Sequence, residues 1–138
     1  MIITLEPDPP TPDTQTIGQI LSNYNSQHAR PSDRKHLILL LRDDAGQVVG
    51  GLRGNTAWNW LYVEALAIAE HARGQGWGTQ LLAAAEREAA VRGCHSAYLD
   101  TFDFQALSFY QKQGYVLFGT LDGFAGDHKR FFLQKRFT

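Results

Sequence analysis

The sequence predicts an α+β fold, one mixed sheet with helices packed on its faces. Three observations carry that reading. Short apolar runs of strand character recur at 36–41, 60–68, 97–101, 115–118 and 130–134. Two other stretches space their apolar residues at helical intervals: Ile17, Ile20, Leu21 and Tyr24, then Leu81, Leu82, Ala85 and Ala89. The order of elements is β, α, about four strands, then α, β, α, β, β.

Taken in order, residues 2–5 (Ile-Ile-Thr-Leu) read as a first short strand. Pro7, Pro9, Pro10 and Pro12 then forbid regular structure and mark an extended connector. Asp13 or Thr14 is placed to cap the helix that follows. Residues 25–35 are polar around Pro31 and read as a loop. The run 36–41 is continuously apolar, as in a strand buried on both faces. Asp43-Asp44-Ala45-Gly46 turns the chain into a returning strand from Gln47, where Gly50 and Gly51 mark a bulge. Residues 55–59 read as the next turn and 60–68 as the central strand. Gly93 sits where the long helix after residue 78 should end. A short helix over about 104–113 stops at Gly114, and the last two strands are joined through 122–127. The 138 residues show no internal repeat or linker, so 1–138 is read as one domain.

Composition narrows the function. Apolar residues make up 43 % and charged residues 20 %, ordinary for a globular protein. A net charge of −1 gives no global field toward nucleic acid or an acidic membrane, so neither is an expected partner. The single cysteine, Cys94, excludes an internal disulfide and suits a reducing compartment. No apolar run approaches the ~20 residues that span a bilayer, and the N-terminus lacks a secretory pattern. A cytoplasmic location is the expectation. The five histidines have no paired metal-ligand spacing, so no metal site is expected.

The chemistry concentrates in Arg73-Gly74-Gln75-Gly76-Trp77-Gly78-Thr79, between the central strand and the long helix. Alternate glycines let backbone adopt left-handed angles and approach a ligand closely. The unpaired N–H groups and dipole of the helix start then favour an anion, as in a phosphate or pyrophosphate cradle. A Gly-Lys-Ser/Thr ending is missing, which excludes a P-loop, and glycines spaced two and two exclude the dinucleotide fingerprint. A tight strand ending alone would also use such glycines.

The pattern Arg73-x-x-Gly76-x-Gly78 at this junction resembles the acyl-CoA signature of the GNAT N-acetyltransferase superfamily. A second stretch, residues 99–115, resembles that family's strand followed by Asn-x-x-Ala-x-x-Phe-Tyr-x-x-x-Gly-Phe. Ala106, Phe109, Tyr110, Gly114 and Tyr115 fall at matching positions, with Asp103 where many members carry Asn. The resemblance covers residues 48–120 best. It implies a GNAT-type mixed sheet of six to seven strands with a splayed central pair and helices on both faces. It also implies acetyl-CoA as cosubstrate and direct transfer of acetyl to a primary amine in a ternary complex. The backbone of Leu66, Ala67 and Ile68 would hold the pantetheine and acetyl carbonyl. Arg73, Gly74, Gln75, Gly76, Trp77, Gly78 and Thr79 would hold the pyrophosphate, with Asp103 and Phe109 also at the cofactor.

The resemblance places Tyr110 as general acid toward the leaving thiolate; a helix stripe burying an aromatic would give the same spacing. Glu64 is the candidate base, two residues before Leu66 on the central strand, where desolvation would raise a carboxyl pKa. A polar residue at the strand's solvent edge is the plainer reading, Asp100 the next candidate base, and a water chain the third. Trp58, Trp60 and Tyr24 can line an acceptor pocket or pack in a core. The basic C-terminal residues Lys129, Arg130, Lys135 and Arg136 read as a solvated edge. The expected acceptor is a small polar amine, with a protein or peptide N-terminus as the alternative. A non-catalytic acyl-CoA-binding sensor module is the competing class. Similar proteins commonly dimerise, so a homodimer is among the expected partners.

Overall fold

The computed structural model describes residues 1–8 and 10–137. Contacts divide the chain into two units, Met1–Ser32 and Asp33–Thr138. In the first unit residues 1–6 form no strand, contrary to expectation, because no ladder takes up their backbone groups. Pro9 of the expected connector lies outside the described residues. Helix α1 (Pro12–His28) is capped by Thr11 rather than Asp13 or Thr14. Thr11 Oγ1 accepts from the Thr14 amide at 3.2 Å, and Thr14 Oγ1 accepts from the Thr11 amide at 2.7 Å. Pro12 therefore opens the helix, where its missing N–H has no intrahelical partner to lose. The helix runs through His28, which shortens the expected loop to 29–34.

The second unit carries six strands: β1 (Lys35–Arg42), β2 (Val48–Ala57), β3 (Trp60–Ile68), β4 (Ser96–Phe102), β5 (Val116–Phe124) and β6 (His128–Arg136). They form one sheet in the order β1-β2-β3-β4-β6-β5. β3 and β4 are parallel, connected through helix α2 (Trp77–Val91), and every other neighbouring pair is antiparallel. Helix α3 (Leu107–Lys112) follows β4. β1 is an edge strand, so the expectation of burial on both faces is corrected: Leu37 is buried, whereas Ile38 and Leu40 are more than half exposed.

The core forms on one face of this sheet. Leu61, Val63, Ala97, Leu99 and Leu133 are buried with Leu82, Ala85 and Ala89 of α2 and Tyr110 of α3. Strand alternation turns Trp60, Tyr62 and Tyr98 to the opposite face. The expected turn at 55–59 contracts to Trp58 and Asn59, both at positive φ (47° and 68°), a two-residue link between β2 and β3. Gly50 and Gly51 pair regularly with Ile68 and Ala67 on the β3 side, whereas on the β1 side the register shifts beside Gly50: Leu41 faces Gly50 and Arg42 faces Val48, leaving Val49 as an extra residue next to the expected position. A second irregularity lies further along, where Arg53 faces Ala65 and Gly54 faces Val63, leaving Glu64 as the extra residue. None of the described helices is long and apolar enough to cross a membrane.

Candidate active site

β3 and β4 pair only from Trp60–Val63 against Ser96–Leu99. Beyond Val63 the two strands share no ladder, which is the splayed central pair that the family resemblance implies. The bulge at Glu64 coincides with the end of pairing, and a bulge bends and over-twists its strand. From Ala65 to Ile68, β3 remains bonded to β2 along one edge, so its other edge faces the gap.

A cleft of ≈ 540 Å³ opens at this gap on the helix side. Leu66, Ala67 and Ile68 form one wall, with Arg73 and Gly78 at one end. Residues 104–106, Phe109 and Tyr110 form the other wall. The two predicted motifs, distant in sequence, are therefore brought face to face.

The glycine turn has the geometry its composition requires. Gly76 is the N-cap of α2 at φ 84°, a left-handed conformation that a Cβ disfavours. The amides of Trp77, Gly78 and Thr79 precede the first intrahelical bond, from Gln80 N to Gly76 O at 3.1 Å. No acidic residue occupies this first turn, so its positive end is not neutralised by the chain. Arg73 Nε donates to Ile68 O at 2.8 Å and pins the turn to the end of β3. Trp77 Nε1 donates to Gln75 Oε1 at 3.4 Å, and Gln113 Nε2 donates to Thr79 Oγ1 at 3.2 Å, tying α2 to the end of α3.

Tyr110 is buried in the cleft wall, and its hydroxyl makes no hydrogen bond among the described residues. Burial, and then the negative charge of Asp100, push its pKa up to about 12. Glu64 differs from expectation: its side chain is 48 % exposed and pairs with Arg53 Nη2 at 3.1 Å, so the expected desolvation is not found. The residue is turned out of the strand by the bulge. Asp100 is the more enclosed carboxylate. Arg130 reaches its Oδ2 through both Nε and Nη2 at 2.6 Å, and the Tyr62 hydroxyl lies 3.5 Å from its Oδ1. The Arg130 guanidinium in turn sits 5.4–5.8 Å from the rings of Phe102, Phe124 and Phe132.

Asp103 does not line the cleft. Its Oδ2 accepts from the Lys129 amide at 3.0 Å and its Oδ1 meets His128 Nδ1 at 2.8 Å. The amide bond and the histidine hold its carboxyl below the usual range. Lys129 and Arg130 thus serve β6 and the site margin, each with an aspartate, and are not a free basic edge. Cys94 is buried, and burial pushes its thiol pKa up, which suits an inert thiol.

A second pocket of ≈ 420 Å³ lies on the opposite face of the sheet. Trp58 and Trp60 line it, joined by Tyr62, Tyr98 and Phe118. These three come from separate strands and only the sheet order assembles them, so no local spacing could reveal them. Tyr24, in the first unit, packs on His28 at 4.4 Å. Tyr62 links the pocket to the gap through its contact with Asp100.

Comparison with known proteins agrees with this geometry. The family model described as Acetyltransferase (GNAT) family matches residues 3–115. The chain is 42 % identical over 123 residues to acetyltransferase Atu2258 of Agrobacterium fabrum (strain C58 / ATCC 33970), covering 89 % of this chain and 90 % of that protein. It is 44 % identical over 75 residues to blasticidin-S acetyltransferase of Streptomyces morookaense, covering 54 % of this chain and 55 % of that protein. A crystal structure assigned as an acetyltransferase from Agrobacterium tumefaciens superposes with a TM-score of 0.93 at 38 % identity, covering 99 % of this chain and 100 % of that one. The splayed sheet, the glycine turn at the start of α2 and the match over 113 residues agree, and the chain belongs to the GNAT acetyltransferase family.

Proposed function

We propose that this acetyltransferase moves the acetyl group of acetyl-CoA directly to the primary amine of a small polar acceptor, both substrates being bound at once. One observation carries the reading: β3 and β4 part beyond Val63, the cleft lined by Leu66, Ala67 and Ile68 opens at that gap, and Tyr62 of the pocket on the opposite face reaches Asp100, just beyond the last β4 pair, at 3.5 Å. An amine entering from the aromatic side can reach a thioester held on the helix side without either leaving its pocket.

In this reading the amides at Trp77–Thr79, with the glycine turn 74–78, hold the pyrophosphate of acetyl-CoA. The unpaired edge of Leu66, Ala67 and Ile68 bonds the pantetheine and the acetyl carbonyl, while Phe109 packs beside it. The amine nitrogen attacks the carbonyl carbon, the carbon–sulfur bond breaks, and Tyr110 gives its phenolic proton to the leaving sulfur. The proton lost by the amine passes to Glu64 or, through water, to solvent. Glu64 sits at the bulge on the acceptor face, open to water and 3.1 Å from Arg53, which suits either route. Asp100 already faces Arg130 and Tyr62, and it positions the Tyr62 ring. The name of the Streptomyces morookaense relative, which acts on a small molecule, supports a small acceptor. The family match runs through both units of the chain, which supports one functional domain.

Calorimetric titration with acetyl-CoA and CoA, followed by thiol release across a panel of amines and peptides, tests the proposal. Binding of both and turnover with a small amine are the expected results. Binding without any turnover would favour a sensor, and turnover confined to peptides would replace the acceptor class.

A further inference from the structure

The aromatic pocket is built of flat faces with an uneven charge pattern. Tyr62 and Tyr98 stack at 4.9 Å with their planes 23° apart, and Trp60 meets Tyr98 edge-on at 5.9 Å. Its polar lining is Arg34, Asn55 and Gln134, with no carboxylate. Arg34 Nη1 donates to Asn55 Oδ1 at 2.7 Å, which leaves its other donors at the exposed rim. Arg34 has no carboxylate partner among the described residues. Asn55 lies directly across from Tyr62 in the β2–β3 ladder, so the guanidinium flanks the stacked rings.

The two carboxylates beyond Tyr62 are already matched by arginines. Glu64 has Arg53 at 3.1 Å, and Asp100 has Arg130 at 2.6 Å. The pocket therefore offers ring faces, a guanidinium with spare donors, and no carboxylate for extra positive charge. A polycationic acceptor would meet Arg34 with nothing to offset its further ammonium groups. A flat ring would cover the tyrosine faces, and an anionic substituent would bond the spare Arg34 donors.

We propose that the acceptor is a monoamine built on a flat aromatic or heteroaromatic ring, with an anionic group on the side away from the amine. The ring seats on Tyr62, Tyr98 and Trp60, the anion meets Arg34, and the amine points past Tyr62 to the gap. This rests on the acetyl-transfer reading above.

The test uses three probe amines at saturating acetyl-CoA: para-aminomethylbenzoate, benzylamine and the polycationic amino sugar neamine. Their binding to the protein–CoA complex is followed by calorimetry, which requires no turnover. The expected result is kcat/KM about tenfold higher for para-aminomethylbenzoate than for benzylamine, with neamine poorest. Arg34→Ala should bring the ratio of the two ring amines to near one, Arg34→Lys should restore part of it, and Tyr98→Leu should weaken both. Equal values for the two ring amines, preference for neamine, an equal loss of both in Arg34→Ala, or no ring amine binding the CoA complex would each overturn the proposal. Failure of acetyl-CoA itself to bind would remove the underlying function too, so the two failures are told apart.

Discussion

The ring of Phe109 rests on Gly78 across the cleft floor: a Cβ at residue 78 would lie 3.3 Å from its ζ carbon. Both residues line the cleft proposed to take acetyl-CoA, one from each motif. Gly78→Val should therefore displace the ring into the cleft and weaken acetyl-CoA binding about tenfold or more. Residue 78 lies in the first turn of α2, so losing glycine should not lower helix stability. Calorimetry with acetyl-CoA beside a thermal melt checks this, and unchanged affinity would remove Gly78 from the cofactor wall.

Tyr110 and Tyr115 lie in one core with rings 6.0 Å apart, yet they should respond differently to loss of the hydroxyl. Tyr110 faces the cleft, so Tyr110→Phe should lower kcat by roughly 10²–10⁴-fold with acetyl-CoA affinity retained. The Tyr115 hydroxyl is buried with no partner among the described residues. Tyr115→Phe should leave kcat near wild type and raise stability, by about 1 kcal/mol or more, because it removes an unsatisfied polar atom. Steady-state kinetics and denaturant unfolding of both variants separate the two roles.

The same tyrosines should contribute to the loss of stability at alkaline pH. Burial raises the pKa of both, that of Tyr110 to about 12 from an ordinary 10.0. Below pH 10 folded and unfolded chains hold the phenolic protons alike. Above it the unfolded chain releases them first and binds fewer protons than the native state, so stability falls as pH rises toward 12. Unfolding free energy measured from pH 8 to 11 should decline in wild type and decline less steeply in the Tyr110→Phe, Tyr115→Phe double variant, where the raised Tyr62 and Cys94 still contribute. An equally steep decline in the double variant would assign the alkaline loss to other groups.

The residues explain which parts of this picture could be read early. The glycine turn and the α3 motif are local, because backbone angles and helix starts depend on residues a few positions apart. Both appear in the sequence and both line the cleft. The face of Glu64 was not legible by alternation, since a bulge adds one residue and only the β2–β3 register reveals it. The exposure of Ile38 and Leu40 was hidden for a related reason: an apolar run does not say whether its strand is central or at an edge. The pairing of Asp100 with Arg130 joins residues 30 apart through β4–β6 contacts that no spacing rule anticipates. The N-cap of α1 is hidden in the sequence because the proline-rich run makes Pro12 look like a breaker, although the first turn of a helix accommodates proline.

Glu64 and Asp100 should separate chemistry from stability. The Glu64–Arg53 pair is about half exposed on both sides, and such a pair is worth roughly 0.2–1 kcal/mol. Glu64→Gln should therefore melt close to wild type, while kcat falls by roughly 10²-fold at neutral pH if Glu64 takes the amine proton. Asp100 is 15 % exposed and faces a guanidinium enclosed by three aromatic rings. Asp100→Asn leaves that cation without its counter-charge and should cost about 1.5–3 kcal/mol, the range for hydrogen bonds to charged groups. Its kcat should fall less than that of Glu64→Gln, since Asp100 acts on the reaction only indirectly, through the Tyr62 ring and through its charge on Tyr110. Chemical unfolding and pH-rate profiles of the two variants decide the matter. A larger kcat loss in Asp100→Asn at wild-type stability would transfer the base role to Asp100. Near-normal kcat in Glu64→Gln across the pH range would assign proton removal to water.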